Sequence, residues 1–338
     1  MISLVQLSSG ATRRVAVVVE PYLRLLADVT SIYDLANHCI QQNISLTAKA
    51  HELAVGEQLL YDDIYSGAIA WKLLSPIDVP GAPEKLLIAG TGLTHLGSAK
   101  ERQSMHLQTA TDTSKPITDS MRMFEWGMAG GRPGEGQIGI APEWFYKGTG
   151  STLQPPFAAL TIPSHAEDGG EEAEIAGIYL IADDGTPFRI GMSAGNEFSD
   201  HKFERRNYLN LAGSKLRTCS IGPELIVGGD FGAVTGEVSI ERAGKTLWHK
   251  AIETGEENMC HSLANLEHHH FKFAGHRIPG QVHIHFFGAH SLSFGDAIEL
   301  QEGDWMQVRY NGYGRALRNS VHIEAKESDR LMQVKALS

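Results

Sequence analysis

Apolar residues in the first eighty positions follow two different rhythms. Val15–Val19 is a continuous apolar run of strand size, whereas Ser31–Gln42 and Ser45–Leu53 carry apolar side chains at helical spacing. Ser31, with Asp34 three positions later, predicts a helix N-terminus at which a hydroxyl and an early acid satisfy exposed backbone N–H groups. Pro76, Pro80 and Pro83 break the rhythm across Ser75–Glu84, and the compact run Lys85–Ala89 after them predicts a strand. The pattern predicts a small N-terminal α/β domain over residues 1–80 and a second domain over 81–338.

Beyond residue 85, short apolar segments recur between glycines and prolines: Phe157–Ile162, Ala173–Ala182, Phe188–Met192, Leu225–Val227, Val282–Phe287 and Trp305–Tyr310. Most are strand-sized and several alternate, which predicts a β-rich domain with scattered helices. The fold class is therefore α+β rather than an alternating βα array.

Composition narrows the function classes. With 338 residues, 42% of them hydrophobic, the chain can bury a sizeable core. Forty acidic against 29 basic residues give a net charge of −11, and the basic stretch His201–Arg206 is interrupted by Phe203 and Glu204, so it reads as solvated surface and no nucleic-acid face is expected. No run approaches the roughly 18 apolar residues that span a bilayer. Met1–Arg14 lacks the basic-then-apolar order of a secretory signal, and a cytoplasmic protein is expected. Cys39, Cys219 and Cys260 have no paired spacing and read as buried free thiols.

Candidate chemistry lies in three places. The glycines around Gly90-Thr91-Gly92 are spaced wrongly for a dinucleotide fingerprint and precede no phosphate-binding lysine, and Gly127–Gly139 reads as a mobile loop or a close backbone approach. Half of the sixteen histidines fall between His261 and His290. His283 and His285 share a strand face, whereas the triplet His268–His270 diverges on a helix, so solvated triplet positions and satisfied polar positions for the pair are expected there. The sharpest signal is Glu172-Ala173-Glu174 entering a strand, which points two carboxylates to one face and leaves Glu171 and Ala173 on the other. Adjacent carboxylates repel unless a cation lies between them, and a hard oxygen-seeking ion such as Mg²⁺ needs few protein ligands.

The order of motifs after that pair resembles the fumarylacetoacetate hydrolase superfamily over roughly residues 85–322. The matching pieces are Glu172-Ala173-Glu174, Asn196-Glu197-Phe198-Ser199, Lys215 and Gly222-Pro223, with Phe145-Tyr146-Lys147 before them and Gly303-Asp304 and Leu317-Arg318-Asn319 after. The resemblance implies a mixed β-roll catalytic domain, a divalent cation (Mg²⁺, with Mn²⁺ or Ca²⁺ as substitutes) on Glu172, Glu174 and Glu197, and a homodimer acting on a small 2-oxo acid. Glu197 stands where the family usually has aspartate.

Hydrolytic members of that superfamily carry a histidine three residues before a glutamate, a pair that activates water; here the positions read Ser98 and Glu101, with His95 one helical turn earlier. Serine is a poor general base at neutral pH. The resemblance is accordingly to the branch containing dehydratases of 2-keto-3-deoxy sugar acids. It implies Glu101 as proton-transfer group, Ser98 beside it, and Lys215 at the charge that develops on the substrate. Lys147, Arg102, Gly288, Ala289 and Ser291 would line the substrate. The alternatives are acylpyruvate or 2,4-diketo acid hydrolysis, with His95 as a displaced base, and a silent metal- or sugar-acid-binding protein.

Overall fold

A computed structural model describes residues 1–97, 99–100, 118–326 and 331–337. Two sheets organise the chain. The larger has thirteen strands and runs from Gln58–Leu60 through Tyr22–Leu25, Thr12–Val19, Ile2–Ser9, Leu225–Val227, Pro187–Asn196, Ala173–Ile181, Val282–Phe286 and Leu86–Gly92 to an edge at Glu143–Thr149. The smaller has five, from Lys245–Thr254 through Val234–Arg242, Trp305–Tyr310 and Leu317–Ile323 to Leu160–Ile162. Most ladders are antiparallel, but Val282–Phe286 pairs in parallel with Leu86–Gly92, and the result is the expected strand-rich α+β fold.

The two helices expected near the N-terminus are Ile32–Gln42 and Leu46–Leu53, capped by the hydroxyls of Ser31 and Ser45, which accept from the backbone N–H groups of Asp34 and Ala48. Ile32, Leu35, Ala36 and Cys39 line the buried side of the first helix. They join one hydrophobic cluster with Leu4 and Val17 and, from the rest of the chain, Leu86, Ile178, Ile284 and Phe286. The first eighty residues also share the large sheet, because Ile2, Ser3 and Leu4 pair with Val227, Ile226 and Leu225.

Strand alternation at the sheet edge has a clear result. Along Glu143–Thr149, Glu143, Phe145 and Lys147 are buried while Trp144 and Tyr146 are exposed. The glycine-rich segment after residue 127 is partly helical: helix Asp119–Gly130 includes Gly127, where a Cβ would lie 2.6 Å from Cys260 Sγ and 2.9 Å from His261 Nε2. Close backbone approach accounts for that glycine.

The histidine expectations need correction. Helix Leu263–Phe271 buries His269 and His270 rather than exposing the triplet, since the helix packs its last turn onto the sheet. His270 lies between the rings of His276 (4.6 Å) and His285 (4.4 Å). An indole can only donate, so the Trp144 Nε1 bond to His270 Nδ1 (3.1 Å) leaves the His270 proton on Nε2, which donates to His283 Nδ1 at 2.9 Å. His283 Nε2 and both ring nitrogens of His285 are buried without a hydrogen-bond partner among the described residues, so the pair is not the satisfied polar pair expected.

Burial first, then neighbouring histidines, pushes His283 and His285 down to about 3. Both are neutral in the fold, and an unfolded histidine titrates near ~6.5. Their contribution to stability is therefore complete above that pH and is lost as pH falls from 6.5 towards 3, at up to about 1.4 kcal/mol per histidine per pH unit. Urea midpoints at pH 7.5, 5.5 and 4.5 are expected to fall less steeply in His285→Phe than in the wild type. Identical slopes would show that His285 does not report the acid sensitivity of this packing.

Candidate active site

The hairpin of the large sheet assembles the carboxylates. Ala173 pairs with Asn196 and Glu174 with Gly195, so the chain enters one strand and leaves the other at the same end. The Glu197 N–H donates to Glu172 O at 2.9 Å, and the Glu172 N–H to Asn196 Oδ1 at 3.3 Å. Carboxylate oxygens of Glu172, Glu174 and Glu197 all lie within 4.8 Å of one another, and all three residues are buried. Beneath the hairpin, Gly195 makes room for Phe286, whose ring a Cβ would meet at 2.5 Å. Tyr310 of the second sheet donates to Ala173 O at 2.9 Å.

Two buried lysines balance part of this charge. Lys215, at the end of helix Leu211–Lys215, donates to Glu172 and Glu197 and to Ser199 Oγ at 2.9 Å, with its ammonium 4.7 Å from the centre of the Phe145 ring. Its side chain is fully buried. Lys147 pairs with Glu197 Oε1 at 2.7 Å and donates to Phe198 O and to Lys215 O, the last at 3.0 Å. Those contacts use its three donors, so here it braces Glu197 and the lysine segment rather than facing a substrate.

The electrostatics are severe. Burial first, then the charges of Glu197 and Glu172, pushes the Glu174 carboxyl well above the usual carboxylate range, against the opposing pull of Lys215 and the Gly288 N–H. Three acidic side chains and two ammonium groups thus share one buried site. Hard oxygen donors at this separation suit a divalent cation that keeps part of its water shell.

Neighbouring residues hold the donors in place. His201 Nε2 lies 3.0 Å from Glu172 Oε1. Burial opposes its protonation, but the hydrogen bond and charge of Glu172 outweigh this and raise its pKa. The expectation of a solvated His201–Arg206 segment is thus corrected: these residues form a short helix, and its first side chain turns inward because the Glu172 carboxylate is its partner. His201 is the functional neighbour that sequence reasoning missed, although it follows Ser199 of the motif by only two positions.

Gly288 donates its backbone N–H to Glu174 Oε2 at 2.6 Å, which sets the segment carrying Ala289 and Ser291 beside the carboxylates. Ala289 and Ser291 are buried. Ser98, Glu101 and Arg102 lie outside the described residues. His95 is buried, with Nδ1 2.9 Å from Thr94 Oγ1 and Nε2 3.1 Å from Thr254 Oγ1, and burial followed by His290 pushes it down to about 3. Both of its ring nitrogens are thus engaged by threonines. Later pieces of the motif set are structural: Asn319 donates to Ala158 O at 2.9 Å, and Asp304 pairs with Arg242 at 2.8 Å.

No family model and no curated protein sequence matches the chain. Among solved structures, the fold is similar to that of 2-keto-3-deoxyarabinonate dehydratase and of a fumarylacetoacetate hydrolase, the fold expected from the order of motifs. In particular, the chain is similar to 2-keto-3-deoxy-D-arabinonate dehydratase in its apo form, with a TM-score of 0.69 at 16% identity over 96% of this chain and 100% of that one. The same dehydratase complexed with magnesium and 2,5-dioxopentanoate matches with a TM-score of 0.67 at 16% identity, over 95% and 99% of the two chains. A fumarylacetoacetate hydrolase from Exiguobacterium antarcticum gives 0.59 at 16% identity, over 96% and 100%.

Gly288 provides a local check on this geometry. Its φ of +100° disfavours any side chain, and a Cβ there would collide with Thr94 Oγ1 and lie 3.1 Å from Thr91 O. Gly288→Ala is expected to destabilise the protein by about 1–3 kcal/mol in urea unfolding. Unchanged stability would show that this backbone is free to rearrange.

Proposed function

We propose that this chain is a divalent-metal-dependent enzyme that dehydrates a 2-keto-3-deoxy sugar acid, a pentonate by preference, to a 2,5-dioxo acid. The observation that carries the reading is the convergence of Glu172, Glu174 and Glu197 with Lys215 in a buried site. The likeness of the whole chain to a 2-keto-3-deoxy-D-arabinonate dehydratase supports it. A cation on the three carboxylates, Mg²⁺ with Mn²⁺ or Ca²⁺ as substitutes, would supply Lewis acidity towards the carboxylate and 2-oxo oxygens of such a substrate.

The chain's own residues then divide the work. Lys215 holds positive charge beside the place where the 2-oxo oxygen gains negative charge as a C3 proton leaves. Lys147 and Ser199 fix the carboxylate of Glu197, and His201 fixes that of Glu172. In this reading Glu101 takes the C3 proton and returns it to the departing C4 hydroxyl, so that water leaves and a C3–C4 double bond forms. Proton movement from C5 to C3 gives the enol, which ketonises to the 2,5-dioxo acid. Ser98 and Arg102 belong to the same segment, and Gly288, Ala289 and Ser291 form the wall against the substrate. The enzyme acts as a homodimer in this reading.

Titration of Mn²⁺ is expected to show one tight site in the wild type and an affinity at least about tenfold weaker in Glu174→Gln, because a charged oxygen donor is lost. Equal affinities, or loss of binding only on replacing His283 and His285, would remove the carboxylates from the metal site. For the reaction, kcat/KM for 2-keto-3-deoxypentonates is expected to exceed that for acetylpyruvate by about 10²–10⁴, the usual worth of the general base that hydrolysis lacks at Ser98. Metal-dependent acetylpyruvate cleavage faster than every dehydration would favour a hydrolase.

A further inference from the structure

The residue before the first candidate ligand has a separate task. Glu171 is fully buried and meets the segment that follows strand Val282–Phe286. One oxygen accepts the Ser293 backbone N–H at 2.8 Å and the other accepts Ser293 Oγ at 2.6 Å. Three positions later in the chain, Glu174 accepts the Gly288 N–H. Residues 288–293 are therefore suspended between two glutamates of one acidic run. Further fixation comes at the start of the segment, where the Phe287 N–H donates to Ile175 O at 3.1 Å and Thr94 Oγ1 donates to Phe287 O at 2.7 Å.

A one-point hydrogen bond leaves a loop free to rotate about the bond, whereas two donors on one carboxylate fix both position and orientation. The site needs that restraint. Ala289 and Ser291 are buried beside the carboxylates, and a backbone displacement of about 1 Å at a substrate wall can cost two orders of magnitude in rate. Glu171 and Glu172 directly precede strand Ala173–Ile181 and Glu174 lies within it, so the clamp and the candidate ligands share one short stretch of backbone.

We propose that Glu171 is a positioning residue: through its two-point clamp on Ser293 it sets the 288–293 segment as the wall that receives the carboxylate end of a metal-chelating 2-oxo acid. This rests on the functional reading above. It assigns affinity for the organic acid, rather than for the metal, to a carboxylate that the metal does not touch.

The test measures pyruvate binding by calorimetry to the Mn²⁺-loaded full chain, after Mn²⁺ affinity has been determined separately. Glu171→Gln and Ser293→Ala are each expected to weaken pyruvate binding about tenfold, with Mn²⁺ affinity within twofold of the wild type. The double variant should be no weaker than the worse single variant, because both changes open the same clamp. Should Glu171→Gln fail to fold, Ser293→Ala alone decides the matter, and Ser293→Thr is expected to restore pyruvate affinity to within about threefold. Pyruvate affinity within twofold of the wild type in the folded variants, additive losses in the double variant, or parallel loss of Mn²⁺ would each overturn the clamp. A wild-type protein that binds Mn²⁺ but no pyruvate would instead overturn the 2-oxo acid reading on which the clamp rests.

Discussion

Mutual repulsion of Glu172, Glu174 and Glu197 is the constraint around which the surrounding structure is arranged. Isolated in a dry interior, three such carboxylates could not all remain ionised, and their desolvation would cost several kcal/mol each. The fold offsets this with two fully buried lysines, a histidine on Glu172, a hydroxyl on Glu197 and the Gly288 N–H on Glu174. Those partners come from separated parts of the chain, residues 147, 197–201 and 215, so the large sheet has to form before the charges can meet. Removal of one partner leaves buried charge less well compensated, which is more damaging than replacement of the whole set by apolar residues.

The legible parts of the sequence were those in which local chemistry and final structure agree. The caps Ser31 and Ser45 lie directly before their helices, and the strands from Ala173, Pro187 and Trp305 follow the apolar segments closely. The Glu-x-Glu spacing placed two carboxylates on one face, and the structure brings Glu197 to them through hairpin pairing that no local pattern displays. Glu171 was expected on the face opposite the pair, and its partner Ser293, 122 positions away, left no trace in the spacing.

Misreadings arose where a polar segment is buried by distant partners. His201 sits in a stretch that is basic in composition, and only the three-dimensional position of Glu172 draws it inward. His269 and His270 occupy the last turn of a short helix, and the sheet beneath supplies the burial that helical periodicity alone could not indicate. Lys147 was placed at the substrate by its motif, while its hydrogen bonds tie it to Glu197 and two carbonyls. A motif thus identifies which residues belong together and leaves open which of them faces the ligand.

The edge strand Glu143–Thr149 ties chemistry to parity. Its buried positions deliver Phe145 and Lys147 to the charge network, and the intervening positions display Trp144 and Tyr146 at the surface. Because side chains alternate with a period of two, a single-residue insertion or deletion within the strand would exchange the two sets, sending an ammonium into solvent and an indole into the ionic interior. Length variation among relatives of this chain should therefore be absorbed in the loops on either side of the strand. Within it, only changes that preserve odd and even positions keep a cation against Glu197.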